Sequence, residues 1–87
     1  MVMDTIEFTF DQSPEMTNKA LENPKLGQLF SHWKYPPSYL ATIDVDSPNQ
    51  CFVSVTASQE GHHEAADIVE AFLTGFFASY GSVFETP

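Results

Sequence analysis

The chain has 87 residues with three lysines, no arginine and twelve Asp and Glu, a formal charge of -9. A field of that sign repels nucleic acid and anionic membrane and favours encounters with basic protein surfaces, while a composition that is 43% apolar with eight Phe excludes the low hydrophobicity that leaves acidic chains disordered. Cys51 stands alone and makes no internal disulfide, and no run approaches the roughly 20 apolar residues of a membrane-spanning helix. One acidic domain over residues 1–87 is expected, and the start Met1-Val2-Met3-Asp4, with neither a basic region nor an apolar stretch, points to the cytoplasm.

From Asp4 to Asp11 the pattern alternates, with Ile6, Phe8 and Phe10 on one side and Thr5, Glu7, Thr9 and Asp11 on the other, the period of a half-buried strand. Ser13-Pro14 then opens a short helix ending near Asn23, with Ser as N-cap and Pro where its missing N–H costs nothing. Asn23-Pro24 repeats the signal, and Leu26, Leu29, Phe30 and Trp33 fall at helical spacing before Tyr35-Pro36-Pro37 stops the run.

Ser38–Asp46 and Cys51–Ser58 are rich in β-branched residues and are joined by Ser47-Pro48-Asn49-Gln50, a turn of hairpin length. Their odd positions, Tyr39, Ala41, Ile43, Val45, Val53, Val55 and Ala57, form an apolar face. The even positions carry mostly hydroxyls and carboxylates, as in an antiparallel sheet covered on one side. Over residues 63–80, Ile68, Phe72, Ala65, Phe76, Val69, Tyr80, Leu73, Ala66 and Phe77 fill one half of a helical wheel. His63, Glu64, Asp67, Glu70 and Thr74 fill the other half, with a cap expected at Gly81 and a close approach or kink at Gly75. The large burial of Phe72 and Phe76 is expected to be a main source of stability. The expected fold is α+β: a small three-stranded antiparallel sheet with a long C-terminal amphipathic helix on one face and two short N-terminal helices between strands 1 and 2. The first strand is free to pair with either edge of the hairpin.

No motif names a reaction. His63-Glu64-Ala65-Ala66-Asp67 has the spacing of the zinc-binding H-E-x-x-H pattern with Asp at the second ligand position, but a third ligand lacks an obvious source, and acids near a helix start are favoured by the helix dipole alone. Cys51 opens a strand with no neighbouring base to lower its pKa, which marks a small buried hydrophobe rather than a nucleophile. The absence of arginine and of a glycine-rich loop argues against phosphate chemistry and direct nucleic-acid binding. The expectation is therefore no enzyme, no cofactor and no metal.

What the charge implies is a partner. All three lysines, Lys19, Lys25 and Lys34, precede residue 35, and the chain beyond them carries Asp44, Asp46, Glu60, Glu64, Asp67, Glu70 and Glu85 unopposed. Like charge accumulated without counter-charge costs stability through self-repulsion, so its retention points to a basic partner surface. A cytosolic protein with a large basic groove most often uses it to bind nucleic acid. The reading is a small inhibitor of the anti-CRISPR, DNA-mimic or nuclease-immunity kind, encoded by a phage or mobile element and acting in the host cytoplasm. Glu60, Glu64, Asp67 and Glu70 would form its main charged face, Asp44 and Asp46 a second on the open sheet with Glu7 and Asp11, and Phe77 an apolar contact. The rival is a homodimer or larger assembly built through Phe77, Leu40 and Phe52, with the acidity serving solubility. Trp33, Tyr35 and Tyr39 would add an aromatic patch to either interface.

Overall fold

The alternation of Ile6, Phe8 and Phe10 with Thr5, Glu7 and Thr9 places one strand half in the core. The remaining elements follow around it. The computed structural model describes residues 2–47 and 49–84, so Pro48 of the expected turn and Glu85 lie outside the described residues, as does the side chain of Tyr80. The element order is β1 (Met3–Phe10), α1 (Pro14–Leu21), α2 (Pro24–Leu29), β2 (Ser38–Ile43), β3 (Cys51–Ser58) and α3 (His62–Phe84). The sheet has the order β1-β3-β2 and is antiparallel throughout, so β1 pairs with the far side of the hairpin from β2.

Both short helices start on side-chain caps. The Ser13 hydroxyl accepts from the Met16 N–H at 3.3 Å and the Asn23 carbonyl oxygen accepts from the Lys25 N–H at 2.9 Å, with Pro14 and Pro24 following each cap. α1 lies on β2 and β3, α3 lies on β3 and β1, and the helices touch each other, so every helix covers the same face of the sheet. The register brings Phe8, Val53 and Ala41 into one row and Ile6, Val55 and Tyr39 into the next. The opposite face shows Thr5, Thr56 and Ser38 in one row and Glu7, Ser54 and Leu40 in another.

Depth is supplied by Val53 and Val55 of the central strand, Leu26, Phe30, Val69 and Leu73. Phe30 packs edge-on against Trp33 with ring centroids 5.2 Å apart, and lies 6.2 Å from Tyr39. Phe72 and Phe76 are partly buried against the core, while Val69 and Leu73 are fully buried and Phe77 is nearly so. Cys51 is fully buried and its thiol meets the Thr17 hydroxyl at 3.4 Å, a neutral pairing of two core groups.

α2 stops at Leu29, short of the expected run to Trp33, and two further boundaries differ from expectation. β2 stops at Ile43 rather than Asp46, which breaks the odd-even pattern: Ile43 and Val45 are exposed while Asp44 turns inward. Asp44 caps its own turn, its Oδ1 accepting from the Asp46 N–H at 3.0 Å. α3 also runs through Gly81 to Phe84, because glycine permits a left-handed cap without compelling one.

Gly75 lies within the continuous helix α3 and marks no close approach, since a Cβ there meets nothing within 4 Å. Gly75→Ala is therefore expected to stabilise the protein by about 1 kcal/mol, read as a higher urea midpoint. Gly61 is the opposite case. Its added Cβ would stand 3.0 Å from Cζ3 of Trp33, so Gly61→Ala is expected to lower the same midpoint, and an unchanged midpoint would remove Trp33 from that contact.

Candidate functional site

The acidic face is built by the turn into α3. The Gly61 N–H bonds to the Ser58 carbonyl at 2.9 Å and the Ala65 N–H to the Gly61 carbonyl at 2.9 Å, so the chain leaves β3 and enters the helix within one tight turn. Glu60 lies in that turn, and Glu64, Asp67 and Glu70 recur at three-residue intervals along the helix surface opposite the buried Ala65, Val69 and Leu73. All four are exposed. Glu64 also sits in the first turn, where the helix dipole favours negative charge.

Among the described residues no lysine forms an ion pair with these four acids. Lys19 pairs with Glu15 at 4.0 Å along α1, and Lys34 lies over the Tyr35 ring at 5.5 Å, while Lys25 belongs to α2. At the start of α3, His62 places its Nδ1 2.7 Å from the Gln59 carbonyl and directs Nε2 toward the Asp4 carboxylate at 3.9 Å. That imidazole fastens the start of α3 to β1. His63 packs against it at 4.2 Å between ring centroids. Among the described residues no group of three or more His, Cys, Asp or Glu is placed to hold a metal ion, and no helix is long and apolar enough to cross a membrane.

The remaining residues of the expected interface separate. Asp44 is buried in its turn and Phe77 is 9% exposed, its ring 5.5 Å from Phe10 and 5.2 Å from Phe76. Neither is available as a surface contact: Phe77 fills the space where α3, running alongside β1, reaches the end of that strand, and Asp44 is consumed by local turn chemistry. Asp46 is exposed beside Asp11, whose carboxylate accepts from the Gln50 side chain. This pair lies beyond Phe10 and Cys51, whereas Glu60 follows Ser58 at the other end of the sheet, about 23 Å away for strands of this length. The expected second acidic face on the open sheet is therefore not formed. Of Glu7, Asp11, Asp44 and Asp46 only Glu7 stands on it, accepting from the Ser54 hydroxyl at 3.1 Å.

The open face is instead hydroxyl-rich with an apolar centre. Thr5 and Thr56 share a hydrogen bond at 2.8 Å, and Leu40 and Phe52, diagonal neighbours across β2 and β3, are 50% and 38% exposed. The aromatic patch is divided as well. Trp33 and Tyr39 pack against the core, burial raises the Tyr39 phenol above its ordinary value of 10.0, and only Tyr35 stays exposed.

One feature lay outside the sequence reading. The Asn18 side chain on α1 grips the outer edge of β2, its Nδ2 donating to the Ala41 carbonyl and its Oδ1 accepting from the Ala41 N–H, both at 3.0 Å. Asn within a short polar helix carries no local signal of such a role. No protein-family model matches the chain, and comparisons with curated proteins and with solved structures return no match.

Proposed function

We propose that the protein is a stoichiometric binding protein of the cytoplasm, an inhibitor that occupies a basic, nucleic-acid-binding surface of a larger protein in the manner of anti-CRISPR, DNA-mimic or nuclease-immunity proteins. The observation that carries this reading is the segregation of charge. Glu60, Glu64, Asp67 and Glu70 form an exposed acidic face, and among the described residues no lysine forms an ion pair with any of the four. Such a face steers encounter with a cationic groove and competes with the phosphates that groove is built to hold.

The test has two stages. Tagged protein is used to capture partners from nuclease-treated lysate with elution in salt steps, and the captured protein is then assayed for nucleic-acid binding with and without the inhibitor. Displacement of nucleic acid at one equivalent supports the reading, and undiminished binding would sink it. Glu64→Lys with Asp67→Lys is expected to slow association with that target at least tenfold and to flatten its salt dependence while leaving the fold intact. Equal association rates would move the contact away from α3.

The exposed Leu40 and Phe52 favour a second reading, self-assembly through the open sheet face. It requires a closed oligomer at micromolar concentration that resists high salt, and a monomer by light scattering excludes it.

A further inference from the structure

The two edges of the sheet are unequal. Along β2, the Asn18 clamp shows that the Ala41 N–H and C=O point away from β3, and α1 fills that outward position. Pro36 and Pro37 stand immediately before the strand and limit its extension. Because backbone groups alternate in direction, Val53, opposite Ala41, must address β1, and with it Phe8, Ile6 and Asp4 on β1 bond inward. The bond from the Gln59 N–H to the Val2 carbonyl at 3.1 Å has the same parity. The N–H and C=O groups of Met3, Thr5, Glu7 and Thr9 therefore point outward from β1, and among the described residues nothing is placed to meet them.

β1 lacks several of the devices that normally blunt an edge, its own being the two carboxylates Asp4 and Glu7. It is eight residues long, contains no Lys, Pro or Gly, and pairs with β3 without a bulge from Met3 to Phe10. Charge divides the same way. The clamped edge lies under α1, where Lys19 offsets Glu15, whereas β1 brings Asp4 on its helix-covered side and Glu7 on its open side, Asp11 follows it, and α3, which carries the acidic face, lies over it. Open hydrogen-bonding capacity and an excess of carboxylates thus coincide on one edge. A second copy is a poor occupant, since pairing β1 with itself brings the acids of two α3 helices together.

We propose that β1 is a strand-addition site, and that its occupant is an extended segment of the partner in which Lys or Arg alternates with small or β-branched residues. This rests on the reading of a basic partner and specifies how it is held: main-chain bonds to Met3, Thr5, Glu7 and Thr9 supply the register, and cationic side chains on the open-face side, beside Glu7, supply the selection.

The probe is a synthetic peptide alternating lysine with threonine, matched in length to β1, added to the full chain. Amide hydrogen exchange is expected to slow at least tenfold at Thr5, Glu7 and Thr9 and to stay unchanged at Ile6 and Phe8, which already bond to β3. Thr9→Pro removes one outward N–H, keeps every carboxylate and breaks no bond to β3, and is expected to weaken peptide binding about tenfold. Peptide-induced shifts confined to Glu64, Asp67 and Glu70, with exchange at Thr5, Glu7 and Thr9 unaltered, would overturn strand addition while leaving the acidic face standing. An absence of any binding at millimolar peptide would overturn it too. The displacement assay with the captured protein judges the parent reading independently of either outcome.

Discussion

Phe30→Ala is expected to cost about 3 to 5 kcal/mol, the range for removing a buried aromatic side chain from a packed core. Phe30 is 2% exposed, ends the short helix α2, and joins Trp33 and Tyr39 to the sheet. Losing it removes apolar burial, leaves a cavity that the rigid neighbouring rings cannot fill, and frees the α2 segment, whose other deep residue is Leu26. Single domains hold only about 5 to 15 kcal/mol of stability, and small ones sit low in that range, so the variant should be largely unfolded in mild urea. Phe30→Leu keeps part of the volume and is expected to lose less than half as much. Urea titration followed by circular dichroism reads both, and a loss under about 1 kcal/mol for Phe30→Ala would mean that α2 is not part of the cooperative core.

Replacing Asn18 should do something different in kind. Asn18→Ala removes two hydrogen bonds and leaves the Ala41 backbone groups without partners in a partly buried position, an expected loss of about 2 kcal/mol. Asn18→Asp is the sharper variant, since it preserves the acceptor for the Ala41 N–H but sets a carboxylate against the Ala41 carbonyl where a donor stood. It should be at least as destabilised as the alanine variant, although its size and helix position are unchanged. Both variants also expose the centre of the β2 edge, so concentration-dependent association is expected from light scattering. A destabilised protein that remained monomeric would show that Pro36, Pro37 and the shortness of β2 protect that edge without the clamp.

Sequence periodicity reached a long way into this fold because each element announces itself locally. Ser13-Pro14 and Asn23-Pro24 start helices through caps made by adjacent atoms, and the alternation in β1 and β3 reports their two faces directly. What sequence did not show depends on distance. Val45 reads as an apolar continuation of β2, yet the Asp44 carboxylate satisfies a turn amide two residues on and ends the strand first. Phe77 sits at the margin of the helical wheel, and only the alignment of α3 with β1 brings it against Phe10. The same limit applies to the candidate site. The run of Glu64, Asp67 and Glu70 is legible because helical spacing alone exposes it, whereas the separation of Asp46 from Glu60 depends on which strand ends neighbour each other. Asn18 is the extreme case, since its partner is Ala41, a residue whose side chain says nothing about its backbone.

The strand order has a consequence for how the chain acquires its shape in time. β2 and β3 are joined by a short turn and close on each other at small entropic cost, whereas β1 reaches β3 only after the α1, α2 and β2 segment has been gathered in. β1 is therefore expected to arrive late, and while it is undocked, the flank of β3 that holds it is itself an unfilled slot. The site proposed for a foreign strand is thus carried by the strand expected to dock last, and in any chain where β1 is undocked, β3 offers to a neighbour the pairing otherwise reserved for β1.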